Sequence, residues 1–247
     1  MSVAPAAVLF DMDGTLFDSE QLWDVAIYEL AEKYGATVPI ETRMAMVGTS
    51  MGDSMELLHT GIGQPWRDPV YSELWINDRV GELFTTSLVW RPGAQELLHE
   101  VRAAGIPTAL VTATQRRLVD IAVEVAGRHN FDVLVCGDEV DYTKPHPEPY
   151  KKAARLLGVD IAQCVAIEDS PTGVASATAA GAWVLAIPHH VPLDELPGVT
   201  LRPTLAGVGL SDLRALLIGP HPRGEAAAEQ AREAGSARGG TAQRRSV

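Results

Sequence analysis

Two aspartates, Asp11 and Asp13, follow a short apolar run near the start of the sequence, and Gly14 comes directly after them. On an extended chain, residues two apart face the same side, so both carboxylates can point toward one site. Gly14 lets the backbone turn sharply after them. Carboxylates this close repel one another unless a cation gathers them, so the pattern favours a metal-assisted site over a pair of turn aspartates.

Three later groups of polar residues supply complementary chemistry; they contain Thr112 and Ala113, Lys144, and Glu168 and Asp169. Lys144 offers a fixed positive charge, and Thr112 with the backbone N–H groups after it can donate hydrogen bonds to phosphate oxygens. Clustered carboxylate oxygens suit Mg²⁺. Phosphoryl transfer requires this kind of positioning and charge neutralisation, with one carboxylate attacking phosphorus and another protonating the departing alkoxide. The spacing leaves open which aspartate attacks.

The elements that carry these residues alternate between strand and helix. The apolar patterns predict strands at 7–10, 108–111, 133–136, 164–167 and 183–187, and helices at 94–104, 117–126, 148–157 and 173–180. Such alternation predicts an α/β fold with a Rossmann-like parallel sheet covered on both faces. Because ligands bind beyond the carboxyl ends of parallel strands, the polar groups are expected to meet in one crevice.

The segment after the first strand has a different character, with helices predicted at 20–34, 54–60 and 70–83 and separated by Gly and Pro residues. We therefore expect a core made of 1–16 and 89–218 and an inserted α-helical cap at 17–88. The stretch 219–247 is rich in Gly, Ala, Arg and Glu without apolar periodicity, and it is predicted to be a disordered tail.

Composition and net charge indicate which binding partners and which cellular location to expect. The net charge of −12 argues against nucleic acid and against an anionic membrane surface, because both attract basic proteins. No stretch is long and apolar enough for a membrane span, and no signal-peptide pattern is present, so a cytoplasmic location is expected. Cys136 and Cys164 lie in predicted strands and are interpreted as small buried hydrophobic residues. Oligomeric state cannot be inferred from the sequence.

The four groups, in their order along the chain, resemble the motifs of the haloacid dehalogenase superfamily; they are Asp11-Met12-Asp13-Gly14-Thr15, Thr112, Lys144-Pro145 and Glu168-Asp169-Ser170. The resemblance covers about 6–218 and implies a helical cap of the C1 type. It implies Asp11 as nucleophile and Asp13 as general acid and base. It also implies Mg²⁺ held by the Asp11 carboxylate, the Asp13 carbonyl and Asp169, with Glu168 at or beside the metal, and a phosphoryl group bound by Thr112, Ala113 and Lys144.

Departures from family patterns favour phosphate-ester hydrolysis. Dehalogenases and phosphonate-cleaving members lack a carboxylate at the position of Asp13. The β-phosphoglucomutases share the motifs but carry basic residues at three cap positions, which in this chain correspond to Trp23, Val47 and Met51. A phosphosugar mutase is therefore kept only as the second hypothesis. A binding or regulatory protein that has lost turnover is a third, and the intact motifs disfavour it.

The predicted cap points to the substrate class. The run Asp18-Ser19-Glu20-x-x-Trp23 is similar to bacterial phosphatases that act on sugar or polyol phosphates. From Thr15 to Leu88 there are four basic and twelve acidic residues, so the cap has little with which to bind a second phosphate. Glu20 can accept hydrogen bonds from hydroxyls, although a helix-start role is equally expected. Trp23 is expected either in the cap core or on the pocket wall.

Overall fold

A parallel six-stranded sheet forms the centre of the computed structural model, which describes residues 4–46, 49, 51–189, 191–193 and 198–218. The spatial order of the strands is β3-β2-β1-β4-β5-β6, and all neighbouring pairs are parallel. The strands are β1 Ala7–Phe10, β2 Thr108–Val111, β3 Val133–Val135, β4 Cys164–Glu168, β5 Trp183–Ala186 and β6 Val199–Leu201. The α/β fold with a parallel sheet predicted from the sequence is confirmed.

Helices cover both faces of the sheet. They are α1 Glu20–Lys33, α2 Ile40–Ala45, α3 Met51–Gly61, α4 Pro69–Ser87, α5 Ala94–Ala103, α6 Arg116–Ala126, α7 Glu148–Leu157, α8 Pro171–Ala180 and α9 Leu210–Leu216. Alternate residues of β1 point to opposite faces: Val8 and Phe10 pack with α5 and α6, whereas Ala7 and Leu9 pack with α7 and α8. Because both faces are covered, the central strand is apolar along its whole length, as fully buried parallel strands are.

The order of the strands reverses direction at β1, which pairs with β2 on one side and β4 on the other. Phe10 lies opposite Leu110 and also opposite Ile167, so the carboxyl ends of these three strands are level. Residues that follow them are therefore brought to the same edge of the sheet. Such a switch point is where open α/β sheets bind ligands.

Helices α1 to α4 lie between β1 and α5 in the chain. The chain enters and leaves this group of helices through two segments that lie next to each other. The Asp18 N–H of the first donates to the Val89 carbonyl of the second at 2.9 Å, and the ring centroids of Phe17 and Trp90 are 4.6 Å apart. Helix α4 packs against α6, where Arg117 pairs with Asp78 at 2.5 Å. This arrangement supports our proposal that 17–88 act as a cap on a core formed by 1–16 and 89–218.

Among the described residues, two α-helices and one strand were not predicted from the sequence patterns; they are α2, α9 and β6. Helix α2 has six residues and β6 has three half-buried residues, so neither is long enough to show a clear periodicity. The predicted tail at 219–247 lies outside the described residues. No helix in the described part of the chain has the length and apolarity needed to cross a bilayer.

Candidate active site

Asp11 and Lys144 form a buried ion pair at the switch point of the sheet. Asp11 follows β1 directly, and Lys144 lies in the loop between β3 and α7. Lys144 Nζ is 2.6 Å from Asp11 Oδ1 and 2.6 Å from Glu168 Oε1. Burial alone would lower the pKa of Lys144, but the two carboxylates outweigh burial and raise it. Lys144 therefore carries a permanent positive charge beside Asp11.

Glu168 ends β4, is fully buried, and is held from several sides. The Tyr150 hydroxyl, on α7, donates a hydrogen bond to Glu168 Oε1, the same oxygen that contacts Lys144. Burial and the nearby Asp11 carboxylate raise the pKa of Glu168, while Lys144 and Tyr150 act in the opposite direction. Gly173 on α8 leaves room for this carboxylate, because a Cβ there would overlap it.

Asp169 lies next to Glu168 and is also buried. The Thr15 hydroxyl donates to Asp169 Oδ1 at 3.4 Å. Gly14 has φ of 78°, and a Cβ built on it would overlap the Asp169 carboxylate. The pKa of Asp169 is raised, first by burial and then by repulsion from Asp11 and Glu168. Gly14 thus serves both the backbone turn and the position of Asp169.

The buried carboxylates of Asp11, Glu168 and Asp169 fit a divalent metal. Each offers an oxygen, and these oxygens lie within 4.8 Å of one another. Asp11 Oδ2 is buried and has no hydrogen-bond partner among the described residues. Lys144 is the one cation that contacts this group among the described residues, so its charge cannot neutralise three carboxylates. An oxygen-ligated cation would satisfy Asp11 Oδ2 and relieve the repulsion.

Asp13 lies beside this group and accepts hydrogen bonds at both oxygens. Ser19 donates to Oδ1 at 2.6 Å and the Trp23 indole approaches the same atom at 3.5 Å. Thr114 donates to Oδ2 at 2.6 Å and Thr112 at 3.3 Å. Burial is the main cause that raises the pKa of Asp13, and the hydrogen bonds from Ser19 and Thr114 act in the opposite direction. Asp13 is nevertheless only partly buried and is open on one side to a cavity. A carboxyl with a raised pKa is suited to donating a proton.

The loop after β2 brings Thr112 and Ala113 to the same edge. Thr112 is buried, and its hydroxyl also accepts a hydrogen bond from the Thr114 N–H at 3.0 Å. The Ala113 carbonyl packs so closely on Gly137 that a Cβ there would overlap it. Thr112 is thus engaged with Asp13 and the backbone, and its contact with a phosphoryl group stays a prediction.

A cavity of about 540 Å³ opens over Asp13. Its lining comes from the β2–α6 loop and from α1, α2, α3 and α4, and it includes both Glu20 and Trp23. Trp23 also packs edge-on against Phe84 with ring centroids 6.4 Å apart, so it belongs to the cap core as well as the wall. Met51 lines the cavity, whereas Val47, the third position in the comparison with the mutases, lies outside the described residues.

Several contacts at the site were missed by sequence reasoning. Ser19 and Thr114 donate hydrogen bonds to Asp13, and Tyr150 donates one to Glu168. His189, which follows the last predicted strand and was expected near the crevice, lies 3.6 Å from Asp18 and 3.5 Å from Glu20. The positions of Ser19, between two acidic residues, and of Thr114, two after Thr112, are the only signals that the sequence offered. Tyr150 has the pattern of an ordinary buried helix residue.

Comparisons with known proteins agree with this geometry. A family model for haloacid dehalogenase-like hydrolase matches residues 5–181. Hexitol phosphatase A of Escherichia coli strain K12 is 31% identical over 217 residues, covering 88% of this chain and 95% of that protein. A phosphorylated carbohydrates phosphatase of Thermotoga maritima is 32% identical over 177 residues, covering 71% and 81%. A crystal structure of a CbbY mutant from Rhodobacter sphaeroides with xylulose-(1,5)bisphosphate has a TM-score of 0.73 and 27% identity, covering 85% and 99%. The chain therefore belongs to the haloacid dehalogenase-like hydrolase family.

Proposed function

We propose that this protein is a Mg²⁺-dependent phosphatase that hydrolyses a small phosphomonoester, with sugar and polyol phosphates favoured, through an aspartyl-phosphate on Asp11. The observation that carries the proposal is the buried Asp11 carboxylate, which has Lys144 at 2.6 Å on one oxygen and no partner within the described residues on the other. A carboxylate held beside fixed positive charge in a site shielded from water is suited to attack phosphorus.

Two displacements account for the reaction. An Asp11 oxygen attacks phosphorus, the bond from phosphorus to the ester oxygen breaks, and the leaving alkoxide takes the proton of the Asp13 carboxyl. Asp13, now a carboxylate, accepts a proton from water as the water oxygen attacks phosphorus and the bond to Asp11 breaks. Lys144 offsets charge on the phosphoryl oxygens throughout. Inorganic phosphate leaves and Asp13 is again protonated.

Mg²⁺ would be held by Asp11, Asp169 and the Asp13 carbonyl, with Glu168 close by, and it would neutralise phosphoryl oxygens. Glu168 contacts Lys144 and accepts a hydrogen bond from Tyr150, so the main role proposed for Glu168 is to position Lys144. Mg²⁺ is the ion proposed because it binds through few protein carboxylates and keeps positions for water and substrate oxygens.

The cavity supports a leaving group larger than the phosphate alone. Its volume of about 540 Å³ lies within the range of small-molecule sites, and the phosphatases named above act on hexitol phosphates and phosphorylated carbohydrates. The mutase hypothesis has less support, because Trp23 and Met51 on the cavity wall cannot supply the positive charge that a mutase would place there. The net charge of −12 supports the proposal that the protein has no nucleic-acid or membrane partner. A cytoplasmic location also remains a proposal.

The test is phosphate release from p-nitrophenyl phosphate and from a panel of hexose, hexitol and bisphosphate esters, with Mg²⁺ and with a chelator. We expect release that depends on Mg²⁺ and is abolished in Asp11→Asn, whose fold is checked by circular dichroism. Unchanged release by Asp11→Asn would remove Asp11 from the reaction. Interconversion of glucose 1-phosphate and glucose 6-phosphate without net phosphate release would instead support the mutase.

A further inference from the structure

An ion pair between two cap helices forms part of the cavity wall. Arg43 on α2 and Asp24 on α1 both line the cavity that opens over Asp13. Arg43 Nε lies 2.6 Å and Nη2 2.5 Å from the same oxygen, Asp24 Oδ1. The pair is only partly shielded, with 21% of the Arg43 side chain and 40% of the Asp24 side chain exposed. A molecule in the cavity can therefore reach both groups.

The pair keeps unused hydrogen-bonding capacity. Both Arg43 contacts go to Asp24 Oδ1, and within the described residues no hydrogen bond engages Asp24 Oδ2 or Arg43 Nη1. N–H groups of Arg43 and an acceptor oxygen of Asp24 thus remain on the same cavity wall. Neighbouring hydroxyl groups of a polyol match such a pair, because each hydroxyl both donates and accepts.

The charge of this wall disfavours a second phosphate. Arg43 is the only basic side chain among the described residues that line the cavity, and Asp24 offsets its charge. Glu20 adds a further carboxylate to the lining. Most of the remaining lining is apolar, from Trp23, Ile27, Met44, Met46, Met51, Met55, Ile76 and Val191. A second phosphate in the cavity would meet no uncompensated positive charge in this lining.

We propose that the Arg43–Asp24 pair recognises the hydroxyl groups of the leaving group, and that Asp24 excludes bisphosphates by cancelling the charge of Arg43. The proposal rests on the proposed phosphatase function and deepens it, because it assigns the preference for neutral, polyhydroxylated monophosphates to two residues. Neither residue touches the reacting atoms, so both act on specificity rather than on the chemical step.

Two variants of the full chain test the pair, each assayed with three esters in the presence of Mg²⁺. The esters are glucitol 6-phosphate, fructose 1,6-bisphosphate and p-nitrophenyl phosphate, whose leaving group has no aliphatic hydroxyl. Asp24→Asn keeps the shape of the wall but leaves Arg43 positively charged. Arg43→Met keeps the length of the side chain and removes its charge. Glu29→Gln, on the same helix α1, disrupts a pair with Arg79 that does not line the cavity and serves as the matched control.

Asp24→Asn is expected to raise the ratio of kcat/KM for the bisphosphate to kcat/KM for the monophosphate by about tenfold or more, since a freed guanidinium attracts phosphate. Arg43→Met is expected to lower kcat/KM for glucitol 6-phosphate by about tenfold to a hundredfold, which corresponds to the loss of a charged hydrogen bond. Hydrolysis of p-nitrophenyl phosphate should change little in either variant, and Glu29→Gln should resemble the wild type with all three esters.

Unchanged ester preferences in Asp24→Asn and Arg43→Met, with an active wild type, would overturn the role of the pair and leave the phosphatase function standing. An equal loss with all three esters would also overturn it, because it would indicate a general disturbance of the cap. A wild type that releases no phosphate from any ester would refute the phosphatase function itself.

Discussion

Replacing Gly14 with alanine puts a methyl group where the Asp169 carboxylate now lies, in a backbone with φ of 78°. The left-handed backbone alone costs about 1–2 kcal/mol for a residue with a Cβ. Because the methyl overlaps the carboxylate, the Asp169 side chain has to shift from its present position beside Asp11 and Glu168. Displacing this proposed metal ligand is expected to weaken Mg²⁺ binding by about tenfold to a hundredfold or more.

Gly105→Ala is the matched control for Gly14→Ala. Gly105 has φ of 71° and nothing within 4 Å of a built Cβ, so it carries the same backbone cost without the overlap. Both variants should lower the melting temperature by roughly 2–8 °C, as expected for 1–2 kcal/mol in a chain of this size. Only Gly14→Ala should require much more Mg²⁺ for half-maximal activity. Equal Mg²⁺ requirements in the two variants would show that the close approach of Gly14 to Asp169 is not needed for Mg²⁺ binding.

Two further predictions concern stability. Tyr150→Phe removes the hydroxyl that donates to the buried Glu168 carboxylate, so it should lower the free energy of unfolding by about 1–3 kcal/mol, whereas Tyr142→Phe at an exposed position should have little effect. Equal effects of these two changes in urea unfolding would contradict the assignment. Burial, and then Arg67, lower the pKa of the buried His59, so the folded protein favours the neutral imidazole. Stability should therefore be complete above the ordinary histidine pKa of about 6.5 and fall as the pH drops below it. In urea unfolding at several pH values, His59→Gln should lose less stability on acidification than the wild type, and parallel curves would refute this.

Residues at the ends of strands were predictable from the sequence because their meeting follows from topology alone. Asp11, Lys144 and Glu168 are far apart along the chain, yet they contact one another because β1 and β4 are neighbours and the Lys144 loop follows β3. Alternation of apolar strands and helices predicted the parallel sheet. A parallel sheet then requires the carboxyl ends of its strands to share one edge.

Contacts between side chains of the helices could not be predicted in the same way. Asp24 on α1 and Arg43 on α2 form an ion pair, but α2, with six residues, gave no readable periodicity from which to predict it. Tyr150 has the apolar spacing of a core residue in the sequence. Its hydroxyl bonds a carboxylate because the fold buries it beside Glu168. Pairings of this kind depend on the distances between packed elements, which periodicity does not encode.

The proposed aspartyl-phosphate is tested by locating the phosphoryl group on the enzyme during turnover. Acid quenching with a good substrate and Mg²⁺, followed by borohydride reduction, converts a phosphorylated aspartate to homoserine, which peptide mass spectrometry assigns to a position. We expect homoserine at Asp11 and none when a chelator replaces Mg²⁺. Homoserine at Asp13, or a phosphoryl group on any other residue, would contradict the role of Asp11 as nucleophile.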